Sequence, residues 1–202
     1  MLKFNEEEQI KAIKGALALR PQVEDIIDKL YAERFDAVYY LGIGGTYASS
    51  MQAVTYMNGK SNLPVFVQHA AEYYTTGNKR LTKDSIVILS SVTGTTQEVV
   101  KAVEQIKKVG ATLIGFIDKA NSKLSQLCDF VVTYPAPGTE QLKFFMAADR
   151  LMYLNGEFED YSEYYEQLER YLPTGLVEAE KKADAFGLSF AEKHRRDSMH
   201  YF

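Results

Sequence analysis

The sequence predicts a doubly wound α/β protein: three layers, with helices on both faces of a five-stranded parallel sheet, and helical extensions at both ends. Three observations carry this. Five short apolar runs lack the polar alternation of a half-exposed strand, which is the pattern of strands buried on both faces. Segments of helical period separate them, giving a βαβ succession. Beyond Asn155-Gly156 the composition turns polar and tyrosine-rich, marking a tail distinct from the sheet region.

Taken in order, two helices are expected near 5–19 and 21–34. Asn5 with Glu8 makes a capping box, and Pro21 suits a first helical turn. The expected strands are AVYYL (37–41), PVFVQ (64–68), SIVILS (85–90), TLIGFI (112–117) and FVVTY (130–134). Helices fall between them near 46–58, 96–109, 122–127 and 139–154, with Asn58-Gly59 as a helix end. In the tail, Tyr161, Tyr164, Tyr165, Leu168 and Leu172 recur at helical spacing, so two amphipathic helices are expected there.

Composition narrows the class. The 202 residues suffice for one sizeable core, and no stretch approaches the roughly 20 apolar residues of a membrane span. The N-terminus is acidic where an export signal starts basic, so a cytoplasmic location is expected, with no membrane partner. The net charge of −4 and the dispersed basic residues argue against a nucleic-acid partner. Cys128 is the only cysteine, which excludes an intrachain disulfide, and it reads as a small core residue. His69, His194 and His200 are scattered without ligand spacing, so no metal is expected.

In parallel sheets, ligands sit at the carboxyl ends of the strands. Two loops there combine glycines with hydroxyls: GIGGT (42–46) and SSVTGTTQE (90–98). Each precedes a helix, whose unpaired N–H groups and dipole favour an anion. Gly42, Gly44 and Gly45 equally suit a tight turn, and Thr95 with Glu98 makes a capping box that needs no ligand. Two such loops in one sheet are better explained by a shared phosphate. A dinucleotide fingerprint fails, because Tyr47 occupies its third glycine position; NGKS (58–61) fails as a nucleotide loop, because Val54 stands at the leading glycine and a helix precedes it. No cofactor is expected. His69, at the end of the second strand, reads as a strand-end residue or a ligand contact.

These residues resemble a known family, the sugar isomerase (SIS) domain. GIGGT and Ser91 to Glu98 are similar to its paired signature, with Thr93 in place of the middle serine. HAAEYY (69–74), DKANSKLSQLCD (118–129) and PGTEQLKFFMAADRLMYL (137–154) match further segments in the same order. Asp118 stands where asparagine is usual, and Lys143 does not reproduce a Thr-Lys pair that some members carry. The resemblance covers about residues 20–155 and implies a flavodoxin-like sheet. It implies that Thr46, Ser91, Thr93 and Thr96, with backbone N–H groups around Gly45, Val92 and Gly94, hold the phosphate of a sugar phosphate or amino sugar phosphate. Glu140 either faces the sugar or only complements its helix dipole.

The likeness is strongest to the first SIS domain of tandem-SIS phosphosugar enzymes, such as the fructosamine-6-phosphate deglycases and the isomerase part of glucosamine-6-phosphate synthase. It implies an SIS domain over 1–155, with 156–202 a helical connector and the start of a second, absent domain. Isomerisation or deglycation at C1/C2 is then expected, with the proton-transfer residues outside this chain and the catalytic residues unknown. A non-catalytic sugar-phosphate sensor is the alternative. The apolar face of the tail needs a cover, which leads to the expectation of a homodimer or higher homo-oligomer.

Overall fold

The computed structural model describes residues 4–136 and 138–195. Helices α1 (Glu6–Leu17) and α2 (Arg20–Glu33) lead into β1 (Val38–Gly42), α3 (Gly45–Asn58), β2 (Val65–His69) and α4 (Ala70–Thr76). Then follow β3 (Ile86–Ser91), α5 (Gln97–Val109), β4 (Thr112–Ile117), α6 (Lys123–Leu127), β5 (Phe130–Val132), α7 (Glu140–Leu154) and α8 (Tyr161–Lys193). The five strands form one all-parallel sheet in the order β2-β1-β3-β4-β5. The expected α/β architecture is what forms.

Two compact units are distinguished: Gly15–Tyr161, which holds the whole sheet, and the described residues of 1–14 and 162–202. Within the first, side-chain alternation along buried strands feeds two cores. Tyr39, Leu41, Val87, Leu89, Leu113 and Ile117 pack with Tyr73 of α4, Val99, Val103 and Ile106 of α5, and Leu124 of α6. On the opposite face, Tyr40 meets Phe144 of α7 edge-on at 5.4 Å, and its hydroxyl donates to the Phe144 carbonyl at 3.4 Å. Burial raises the Tyr40 pKa, with the Asp149 carboxylate adding to the effect. Ile114 and Phe116 line an apolar seam with Val23, Ile26 and Ile27 of α2 and Ala147 of α7. Arg150 of α7 grips Asp28 of α2 bidentately, Nε–Oδ1 and Nη2–Oδ2 both at 2.6 Å.

Local signals behave unevenly. Asn5 accepts from the Glu8 N–H at 3.2 Å, as the capping box requires, and Pro21 lies in the first turn of α2. The Thr95–Glu98 box does not form: α5 begins one residue later, its N-cap is Thr96, and that side chain makes no capping bond. Just before it, Gly94 turns the loop with a φ of +65°. Cys128 is half-buried rather than enclosed, packed against the α5-side core. Burial, with the neighbouring Asp129 charge, pushes its thiol up to about 12.

The tail differs from expectation in one respect. Instead of two helices, α8 runs unbroken through Pro173. Tyr165, Pro173 and Val177 are all buried, at spacings of eight and four, so both halves keep one apolar face in register across the proline. That shared face offsets the single backbone hydrogen bond that proline removes. The expected final strand at 197–202 lies outside the described residues. Among the described residues no helix is long and apolar enough to cross a membrane.

Candidate functional site

Strand order decides where the two glycine loops meet. After β1 the chain moves to one side to make β2, then returns to the other side of β1 to make β3. The β1–β3 boundary is therefore the switch point, where the loops leaving these strands diverge and open a crevice. Both glycine-hydroxyl loops leave from it. Neither loop's sequence specifies this adjacency; it follows from the crossover.

The β1–α3 turn is tight for steric reasons. A Cβ on Gly42 would stand 2.5 Å from the Tyr47 nitrogen, and Gly44, the N-cap of α3, has φ +56°. Gly45 is different: its φ is not positive and a Cβ there would meet nothing within 4 Å. The packing of the protein does not require that glycine, and the space above it is open. The Thr46 hydroxyl accepts from the Ile43 N–H at 3.1 Å and donates to the Ile43 carbonyl at 3.0 Å, stapling the turn.

The β3–α5 loop is held from below. The Gly94 N–H donates to Ser91 Oγ at 3.0 Å, and the Gly94 carbonyl accepts from the Leu124 N–H at 3.0 Å. A Cβ on Gly94 would lie 2.0 Å from Ser122 Oγ. Ser122 in turn caps α6, accepting from the Ser125 N–H at 3.3 Å. Above this floor, Val92 is 56% exposed and Thr93 exposed, with Thr93 Oγ1 accepting from the Thr95 N–H at 3.3 Å. Ser91 and Thr93 thus use their oxygens as acceptors within the loop, leaving their hydroxyl protons for another partner. Thr96 sits at the α5 N-terminus, where the first helical N–H groups have no intrahelical acceptor.

The other singled-out residues lie on separate elements. His69 ends β2 in register with Gly42 and serves as the N-cap of α4; its ring meets Tyr47 edge-on at 4.9 Å. Its Nδ1 is buried and has no hydrogen-bond partner among the described residues. Glu140 is the first residue of α7, half-buried, preceded by Thr139, whose buried hydroxyl donates to the Ala136 carbonyl at 2.9 Å. The structure therefore gathers Gly45, Thr46, Ser91, Val92, Thr93, Gly94 and Thr96 around one crevice. It places His69 beside the first loop and Glu140 at the head of a separate helix.

The SIS domain model matches residues 30–150. The chain belongs to the SIS domain family. Among sequence relatives of this SIS chain, fructoselysine 6-phosphate deglycase of Escherichia coli O157:H7 is 27% identical over 116 residues, covering 57% of this chain and 34% of that protein. An uncharacterized HTH-type transcriptional regulator of Clostridium perfringens, CPE0189, is 31% identical over 104 residues, 50% of this chain and 36% of that protein. The match thus spans about a third of each relative's length. Among solved structures, the C-terminal domain of glucosamine-fructose-6-phosphate aminotransferase from Francisella tularensis superposes with a TM-score of 0.70 at 17% identity, covering 92% of this chain and 58% of that one.

Sequence reasoning missed the supports of the SIS site. Ser122 was not singled out; a serine directly before KLSQL was the available signal of a helix cap. Asp118 and Lys143, the two departures from the family pattern, turn out to be partners: Lys143 Nζ lies 3.1 Å from Asp118 Oδ1. Residues 25 positions apart on a strand end and a helix carry no local signal of that pairing.

Proposed function

We propose that this SIS domain binds a sugar phosphate, with the phosphate seated on the β3–α5 loop at the β1–β3 crevice. The observation that carries the reading is the adjacency of two glycine-hydroxyl loops at the switch point, one of them opening a helix whose N-cap side chain makes no capping bond. Ser91, Thr93 and Thr96 donate to phosphate oxygens, joined by backbone N–H groups near Val92 and Gly94. Gly45 leaves room for the ester on the β1 side. Thr46 joins by turning its proton from the Ile43 carbonyl to the ligand. His69 and Glu140 contact the sugar.

The reaction we propose is proton transfer between C1 and C2 of an open-chain sugar phosphate, or release of an amine from C1. The similarity to a fructoselysine 6-phosphate deglycase favours it. Such chemistry requires a paired acid and base. In the deglycase reading the paired acid and base come from outside this chain, with His69 and Glu140 as sugar contacts. The similarity to an HTH-type regulator favours a second reading, a sensor that binds the same ligand without turnover. Calorimetric titration tests the shared core of both. Fructose 6-phosphate or glucose 6-phosphate is expected to bind, and free fructose and glucose to bind at least tenfold more weakly, since hydrogen bonds to charged groups are worth about 1.5–3 kcal/mol each. Equal affinity for free and phosphorylated sugars would remove the phosphate site.

We also propose that α8 pairs with α8 of a second copy. Phe186 and Leu188 are 69% and 68% exposed on this helix, and the Phe186 and Phe190 rings stack at 5.7 Å. Burying that exposed apolar face against a second copy removes it from water. Sedimentation should show a dimer at micromolar concentration that Phe186→Glu/Leu188→Glu converts to monomer; a wild-type monomer across that range defeats the proposal.

A further inference from the structure

The carboxyl end of β4 carries an acidic side chain that the phosphate loops do not use. Asp118 directly follows β4, and its N–H donates to the Ser91 carbonyl at 3.2 Å, so it stands one strand over from the loop proposed to hold phosphate. Its Oδ1 is 3.1 Å from Lys143 Nζ, which also donates to the Tyr134 carbonyl at 2.9 Å. The Lys143 side chain is only 2% exposed and that of Asp118 12%. Among the described residues the Asp118 carboxylate is engaged only through Oδ1, although a carboxylate offers about four acceptor positions.

We infer that Asp118 reads a hydroxyl of the sugar, with Lys143 as its positioning residue. This rests on the phosphosugar reading above. An ionised carboxylate beside a bound phosphate would repel it unless a cation cancels the charge. Lys143 is that cation. It approaches from α7, is anchored on the Tyr134 carbonyl, and fixes one carboxylate oxygen while leaving the other free to accept. Buried ion pairs contribute little net stability compared with apolar residues of the same size. What this pair supplies is a rigid, charge-compensated acceptor adjacent to Ser91. A chain of hydroxyl-bearing carbons attached to the phosphate presents donors to it; a bare phosphate ester presents none.

Two ligands separate the terms. Methyl phosphate probes the phosphate seat alone, and fructose 6-phosphate probes seat and hydroxyl reader together. The wild type should prefer fructose 6-phosphate by at least about tenfold, as one charge-assisted hydrogen bond allows. Asp118→Asn/Lys143→Met removes both charges together and leaves neither buried alone; methyl phosphate affinity should be unchanged and the preference should fall by about tenfold. Lys143→Arg keeps the cation and should keep the preference. A double variant that binds methyl phosphate and retains the full preference overturns the inference and leaves the phosphate site standing. A wild type that binds neither ligand overturns the phosphosugar reading and this inference with it. A measurement on the wild type needs no variant to fold: the Asp118 carboxyl carbon signal should shift on adding fructose 6-phosphate but not methyl phosphate, and a signal that ignores both overturns the inference.

Discussion

Gly94→Ala should destabilise the protein by roughly 2–5 kcal/mol and remove sugar-phosphate binding. Two independent costs add. At φ +65° an L side chain pays about 1–2 kcal/mol of backbone strain. The new methyl would also stand 2.0 Å from Ser122 Oγ and 2.3 Å from its Cβ, an overlap of the kind that costs about 1–3 kcal/mol. The neighbour is a helix cap and cannot swing away without releasing the Ser125 N–H. Relief must come from the loop, which lifts off α6 and carries Thr93 and Thr96 out of place. Urea denaturation and calorimetry measure the two effects. Gly45→Ala is the contrast: its methyl meets nothing within 4 Å and it sits inside a helix, so stability should hold while affinity falls. A Gly94→Ala protein of wild-type stability would show that the loop is not braced on Ser122.

Thr93→Val/Thr96→Val should lower fructose 6-phosphate affinity at least tenfold with stability changed by no more than about 0.5 kcal/mol. Each hydroxyl removed takes away a hydrogen bond to a charged ligand worth about 1.5–3 kcal/mol. Stability is spared for a local reason. Thr96 is an N-cap without a capping bond, so valine forfeits no cap. Thr93 is exposed, and the Thr95 N–H it serves at 3.3 Å is exposed too, so water replaces it. Surface changes of this type stay within about half a kcal/mol. An unchanged dissociation constant would move the ligand off the β3–α5 loop.

Much of the fold was legible because it is written in local periodicity. VYYLG and IVILSS are fully buried strands, and nothing but a sheet covered on both faces accommodates such runs. The order of family-like segments identified the SIS domain, and the two glycine loops announced themselves by composition. Legibility stopped where a feature depends on residues distant in the chain. The Thr95–Glu98 pattern satisfied the capping rule, yet the helix starts at Gln97, behind a loop that Gly94 packs against Ser122 and Leu124, residues about thirty positions further on. In the tail, the helical period was readable but continuity through Pro173 was not, since it depends on which face is buried.

By itself, then, the sequence determined the α/β class, the βαβ succession and the residue types offered to an anion, because hydrophobic period and turn chemistry act over a few neighbours. Only the tertiary structure decided that the two loops share one crevice, since strand order depends on the side to which each crossover returns. It also decided that Asp118 and Lys143 compensate each other. Their attraction acts through space, between the end of β4 and the first turn of α7, and no local pattern of residues encodes it.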